Sequence, residues 1–174
     1  TPLYSSAASD VYKRQVVPYP LFDLSPGVLQ KLEAKSQYGM DQSKIHVLNI
    51  GLWTSGKNQA EGVEIARIAE EQWPGKFHFH FVGNQASNFE SYWGPVMANL
   101  PENVTVWGER KDTDGFMKAC DAFMFNSTWE CSPLALREAI SYGMVTFARD
   151  LPQYMDTFTP VSYTHLTLPT NREV

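Results

Sequence analysis

The chain has 174 residues, is 43% hydrophobic and 19% charged, and sets 14 Lys+Arg against 19 Asp+Glu for a net charge of −5. That length can bury one sizeable core. The absence of an apolar run of about 18 residues argues against a membrane span, and the absence of a Lys/Arg stripe argues against nucleic acid as the main partner. The two cysteines, Cys120 and Cys131, lack zinc-site spacing and are too few for a disulfide scaffold. Both are therefore expected to be reduced, in a cytoplasmic protein that is free or peripheral to a membrane.

The two ends differ from the middle. Residues 1–15 and 161–174 hold no lasting period of 2 or 3.6, and neither has the order of a signal peptide. Both resemble translated sequencing-adapter tails and are expected to be non-native. Residues 16–160 are then expected to form one domain, truncated at both ends.

Ser25-Pro26 opens a helix that runs to about Tyr38, with Gly39 as terminator. IHVLNI (45–50) is a short apolar, β-branched run closed by Gly51, as a buried strand requires. After the turn GLWTSGKN, Val63, Ile65, Ala66, Ile68 and Ala69 recur at helical spacing until Pro74-Gly75. KFHFHFV (76–82) alternates strictly and predicts a second strand. The long connection 83–101 is expected to be helical around Tyr92–Leu100. NVTVW (103–107) is a third strand, followed by a short helix from Gly115 to Cys120. AFMF (122–125) is a fourth, PLALREAISY (133–142) a helix capped by Ser132, and VTFA (145–148) a fifth strand. Strands alternating with helices give an α/β, doubly wound parallel sheet. In such sheets ligands bind beyond the carboxyl ends of the strands, so loops 51–58, 83–88, 108–113, 126–132 and 149–153 are the ones to inspect.

The loop NSTWECSP, between the fourth strand and its helix, carries the clearest chemistry. Free N–H groups and the positive end of the helix dipole make an anion site there. Glu130 in the loop and Glu138 two turns on could accept hydrogen bonds from sugar hydroxyls. They fit equally well as a capping acid and a solvated helix residue. Asp112-Thr113-Asp114 is a D-x-D, a pattern that can hold a metal, but its place before a helix favours capping. His78 and His80 share a strand face and are expected to be packed or hydrogen-bonded. Cys131 lies at a helix start with no base nearby in sequence, which argues against a nucleophile. Trp53, Trp129 and Tyr154 are candidates for stacking on a sugar or base, or for core packing. No metal site is expected.

Ser127, Glu130, Glu138, Ala139 and Gly143 form the pattern S-x-x-E-x7-E-A-x-x-x-G. Together with IHVLNIG, GKNQ, HFVGN, NVTVWGER and CDAFMFNSTWE in order, this resembles the C-terminal, donor-binding half of retaining glycosyltransferases of the GT-B fold, family-4 type. The resemblance covers about residues 45–150. It implies that 16–160 is a Rossmann-like, nucleotide-sugar-binding domain, and that the chain transfers a sugar from a nucleotide diphosphate sugar to an acceptor. The acceptor-binding N-terminal domain would lie outside this chain, and no metal or other cofactor would be required.

The resemblance also implies roles. Lys57 would hold the donor diphosphate and stabilise the leaving nucleotide, and Glu130 would contact the donor sugar; these are the two catalytic candidates. Glu138 would accept from the ribose hydroxyls, and amides around Cys131, Ser132, Pro133 and Leu134 would meet the diphosphate. Gly51, Gly83 and Asn84 would line the donor, and Glu109 and Arg110 would lie against the base, unless those two are a surface ion pair. Members of the family usually carry an arginine just after the first strand's glycine; Leu52 and Trp53 stand here instead. Arg149, after the fifth strand, is the other cation weighed for that place and is not assigned to it. Two other readings share the pattern: a nucleotide-sugar epimerase of the same fold, and a non-catalytic α/β interaction module whose glutamate pair is incidental.

Overall fold

The computed structural model describes residues 23–130, 133–149, 151 and 164–165. Helix α1 (Val28–Gln37) leads into β1 (Ile45–Ile50), α2 (Gln59–Gln72) and β2 (Phe77–Val82). A 3-10 turn (Ser87–Phe89) and α3 (Glu90–Met97) precede β3 (Val104–Gly108), α4 (Thr113–Ala119) and β4 (Ala122–Phe125). Then come α5 (Leu134–Ser141), β5 (Val145–Ala148) and a two-residue strand β6 (Thr164–His165). The expected tail 1–15 lies outside the described residues. Of 161–174 only β6 lies within them; it pairs with Phe147 and Ala148 of β5, an element that the sequence pattern did not indicate.

All neighbouring strands are parallel, in the order β3-β2-β1-β4-β5-β6. Successive side chains on a strand point to opposite faces, so the four-residue β4 supplies both layers. Phe123 and Phe125 join Leu48, Phe116, Leu136 and Ala139 under α1, α4 and α5. Ala122 and Met124 join Val47, Val63, Ala66, Phe79 and Phe81 under α2 and α3. Apolar side chains on both faces explain why β1 and β4 read as continuous apolar runs and not as alternating ones. Lys35 of α1, only 6% exposed, reaches Asp121 at 2.8 Å, and the same carboxylate accepts the His46 N–H at 2.9 Å. This anchors α1 to the start of β1.

Several boundaries differ from the sequence reading. Gly27 caps α1, and α4 begins at Thr113, two residues early. The 83–101 connection is ordered from Ser87, with Pro95 inside α3. The cap position of α5 is Pro133, whose carbonyl accepts the Arg137 N–H at 3.1 Å. Ser132, the expected cap, lies outside the described residues. Asp112 stands at the cap of α4 but makes no side-chain cap bond. Its carboxylate is taken by Arg110 and Tyr38, so the expected capping is absent.

Candidate functional site

The strand order sets where a ligand can sit. From β1 the chain turns towards β2 and β3, whereas from β4 it turns towards β5 and β6, so the direction of winding switches between the adjacent strands β1 and β4. Loops leaving the carboxyl ends of those two strands diverge and leave a crevice. They are the GLWTSGKN loop and the NSTWE loop.

The crevice is tied together from both sides. Gly51 N–H donates to Val82 (2.9 Å), Gly83 N–H to Gly108 (2.8 Å) and Trp53 N–H to Asn84 (3.0 Å). Gly83 has φ +154°, and a Cβ placed there would stand 1.9 Å from the Gly51 carbonyl oxygen. Only a glycine allows that approach. Trp53 is fully buried against Phe81, so it serves the core and not a ligand. Across the crevice, Thr128 N–H donates to the Gly56 carbonyl at 2.9 Å.

Lys57 precedes Asn58, whose φ of +54° turns the chain into α2. From there the Lys57 Nζ donates to a Glu130 carboxylate oxygen and stands 5.7 Å from the Phe125 ring centroid. The Lys57 side chain is 35% exposed and that of Glu130 is 11% exposed. The structure thus brings together Lys57, Glu130 and Gly51, with Gly83 packed beneath. Trp129, beside Glu130, is 69% exposed and is free to meet a ligand. Tyr154, Cys131 and Ser132 lie outside the described residues; Leu134, the first residue of α5, is exposed.

Other candidates stand apart. Glu138 is exposed on the second turn of α5, at a cavity of about 180 Å³ lined by Thr113, Asp114, Met117 and Tyr142. Among the described residues no hydrogen bond or ion pair joins it to Lys57 or Glu130. Glu109 is exposed after β3, and Arg110 pairs with Asp112 (2.9 and 2.7 Å), not with Glu109. This corrects the pairing weighed from sequence. The Arg110 guanidinium is the main cause that holds the Asp112 carboxyl down at about 2. Burial, helped by Asp112, pushes the Tyr38 phenol up to about 12.

Three residues that sequence reasoning did not assign gather in the crevice. The Glu61 carboxylate accepts from Asn58 Nδ2 (2.9 Å), from Asn126 Nδ2 (3.0 Å) and, through both oxygens, from Arg149 Nη2 (2.6 Å each). Glu61 follows Lys57 by one helical turn, which was the available signal. Read alone it looks like any acid on a polar helix face. Asn126 is only 2% exposed.

A second cluster lies at the opposite, amino-terminal edge of the sheet, in a cavity of about 320 Å³ lined by Tyr38, Asp41, Lys44, Trp107 and three histidines. Trp107 Nε1–H can only donate, so His80 Nδ1 accepts (3.0 Å) and His80 carries its proton on Nε2. That proton goes to His46 Nδ1 (2.8 Å), and His46 Nε2–H goes to the Asp41 carbonyl (2.7 Å). His78 Nε2 meets the Thr105 hydroxyl at 2.8 Å. A chain with this proton order leaves His80 no lone pair for a metal. Among the described residues no three His, Cys, Asp or Glu side chains are placed to hold one.

Burial holds all three histidines below their ordinary range, His80 to about 3. Each takes up a proton less readily when folded than when unfolded, near pH 6.5, so its contribution to stability is present above that value and is lost as pH falls, for His80 down to about 3. Urea unfolding at pH 7.5 and pH 5.0 is expected to show a loss of about 2 kcal/mol at the lower pH, since His80 contributes up to about 1.4 kcal/mol per pH unit below about 6.5. Equal stability at the two values would show that the histidine chain is not buried as described.

No helix among the described residues is long and apolar enough to cross a membrane. A family model described as glycosyl transferases group 1 matches residues 30–171. Among curated protein sequences none matches. Of solved structures, WaaG, a glycosyltransferase involved in lipopolysaccharide biosynthesis, superposes with TM-score 0.71 at 18% identity, over 87% of this chain and 42% of that one. HepE of Anabaena, in complex with UDP and glucose, gives 0.71 at 22% identity over the same shares. TarM gives 0.56 at 18% identity, over 69% of this chain and 23% of that one. The chain therefore spans well under half the length of these structures, and at such identities the likeness is one of fold: a Rossmann-like, GT-B-type α/β domain. With more than half of its residues matched by the family model, the chain belongs to the glycosyl transferases group 1 family.

Proposed function

We propose that this chain is the donor-binding half of a retaining glycosyltransferase of the family-4 type, which takes a nucleotide diphosphate sugar and passes the sugar to an acceptor held by a domain outside it. The observation that carries this reading is the Lys57–Glu130 pair, set at the switch between β1 and β4. Family membership and the UDP and glucose bound in HepE add weight to it. By the family resemblance, Glu130 would face the sugar and Glu138 the ribose. The exposed carboxylate of Glu138 is free to accept from two adjacent hydroxyls.

In the proposed mechanism the donor's negative phosphates displace Glu130 from Lys57. A compact ammonium against phosphate oxygens offsets the charge that accumulates on the leaving nucleoside diphosphate as the glycosidic bond breaks. Glu130, released, accepts from sugar hydroxyls and fixes the ring. Backbone N–H groups of Cys131, Ser132 and Leu134 would complete the phosphate cradle, Pro133 having none to donate. Gly51, Gly83 and Asn84 shape its floor, and Glu109 and Arg110 border the base. The cation and helix end do what a metal does elsewhere, so no metal is required. Because the acceptor site lies outside, the chain alone binds donor and transfers little or nothing. The free, buried Cys120 fits a cytoplasmic setting.

Glu138→Ala tests the ribose contact. UDP affinity is expected to fall about tenfold, the equivalent of one charge-assisted hydrogen-bond pair, while affinity for inorganic pyrophosphate stays unchanged. Calorimetry of the two ligands on native and variant chains reads both. Equal loss for pyrophosphate would place Glu138 on the phosphates instead, and unchanged UDP affinity would remove it from the site.

A further inference from the structure

Among the described residues the crevice holds two cations, Lys57 and Arg149, each facing a carboxylate. Arg149 leaves the carboxyl end of β5 with its backbone N–H on the Phe125 carbonyl (3.3 Å), next to the ring over which Lys57 lies. It spends Nη2 on both oxygens of Glu61. That pair is unlike a finished structural clamp. The Arg149 Nε–H is buried without a partner among the described residues, and so is the Asn126 Oδ1, on the other side of the same carboxylate. Buried polar groups are normally satisfied, and two unfilled ones flanking one ion pair mark a place completed by something else. The Arg149 side chain is nonetheless 37% exposed, so a ligand can reach it.

Charge points the same way. A nucleoside diphosphate brings at least two negative charges, and Lys57 offers one positive charge. The position where a second cation could follow β1 is occupied by Trp53, which is fully buried. A guanidinium is a planar fork with five N–H donors, so it can keep a carboxylate on one nitrogen and present the others to phosphate oxygens.

We propose that Arg149 is the second cation for the donor's diphosphate, held ready by Glu61 in the unliganded protein and shared with phosphate oxygens when the donor arrives. This rests on the donor-binding reading above and assigns a binding residue to that site. Glu61 is then a positioning residue that competes with the ligand for Arg149, while it holds Asn58 and Asn126 in place.

The test is calorimetry of uridine, UMP, UDP and GDP on the native chain and on Arg149→Gln, Arg149→Lys and Glu61→Gln, each below its melting transition. Arg149→Gln is expected to weaken UDP about tenfold or more and to leave uridine within about twofold, with Arg149→Lys between, as loss of a charge-assisted contact requires. Glu61→Gln keeps an acceptor oxygen for Asn58 and Asn126 but removes the competing charge, so UDP should bind about threefold or more tightly. Variants that melt at lower temperature yet bind UDP as the native chain does would make Glu61–Arg149 a structural clamp and overturn the proposal. A native chain that binds neither UDP nor GDP at millimolar concentration would instead remove the donor-binding reading itself.

Discussion

Replacing Lys57 by alanine is expected to weaken UDP binding roughly 30-fold or more, about 2 kcal/mol, while uridine binds as before. Two effects add. The ammonium that faces the phosphates is lost, and Glu130, only 11% exposed, is left as an unpaired carboxylate beside the incoming anion. The second effect makes a specific double variant informative. Lys57→Ala with Glu130→Gln removes the repulsive charge and should recover part of the UDP affinity over Lys57→Ala alone. Stability of the double variant should change little, because no charge is then left buried without its partner. Calorimetry and thermal melting separate the two quantities. Loss of UDP and uridine together would mean that the loop had collapsed and not that a phosphate contact was gone.

Gly83→Ala is expected to have the largest effect on stability, roughly 3 kcal/mol or more, with a drop in melting midpoint of about 10 °C or more. The added Cβ would lie 1.9 Å from the Gly51 oxygen and 2.6 Å from its carbonyl carbon, so β1 and β2 must separate at their carboxyl ends. That displaces the loop carrying Lys57, and UDP binding should fall with it. Gly75→Ala is the matched control. Gly75 also has a positive φ, +71°, but nothing lies within 4 Å of its Cβ position, so its cost is backbone strain alone, about 1 kcal/mol. Urea unfolding of both gives the comparison. Equal costs would show that the close approach of Gly51 and Gly83 does not matter.

Much of the fold was legible in the residues. β1, β4 and β5 occupy the runs IHVLNI, AFMF and VTFA, because short β-branched or aromatic runs between glycines and turns have few other stable fates. The start of α4 and the cap of α5 were less legible. At both places polar residues can cap or pair elsewhere, and Asp112 is taken by Arg110 and Tyr38. β6 carries no local signal at all; two residues gain strand character only because β5 has an open edge.

The site shows a similar division. Lys57 and Glu130 were each picked out, but their pairing spans 73 residues and depends on β1 and β4 being neighbours. Glu61 and Arg149 are 88 residues apart; Arg149 was weighed for the donor from its place after the fifth strand, but its pairing with Glu61 has no local signal. The histidine chain was half visible. The alternation in KFHFHFV put His78 and His80 on one face, but His46 and Trp107 come from strands on either side of β2. Long-range order decides these contacts, and pattern along the chain carries only its raw material.

The most direct measurement of the central claim is a map of backbone amide chemical shifts during titration of the ¹⁵N-labelled chain with UDP. The account expects shifts at Gly51–Asn58, Gly83–Asn84 and from Ser127 into the first turn of α5, with the opposite edge around Gly39–Lys44 unchanged. Shifts confined to that opposite edge, in the histidine-lined cavity, would contradict it.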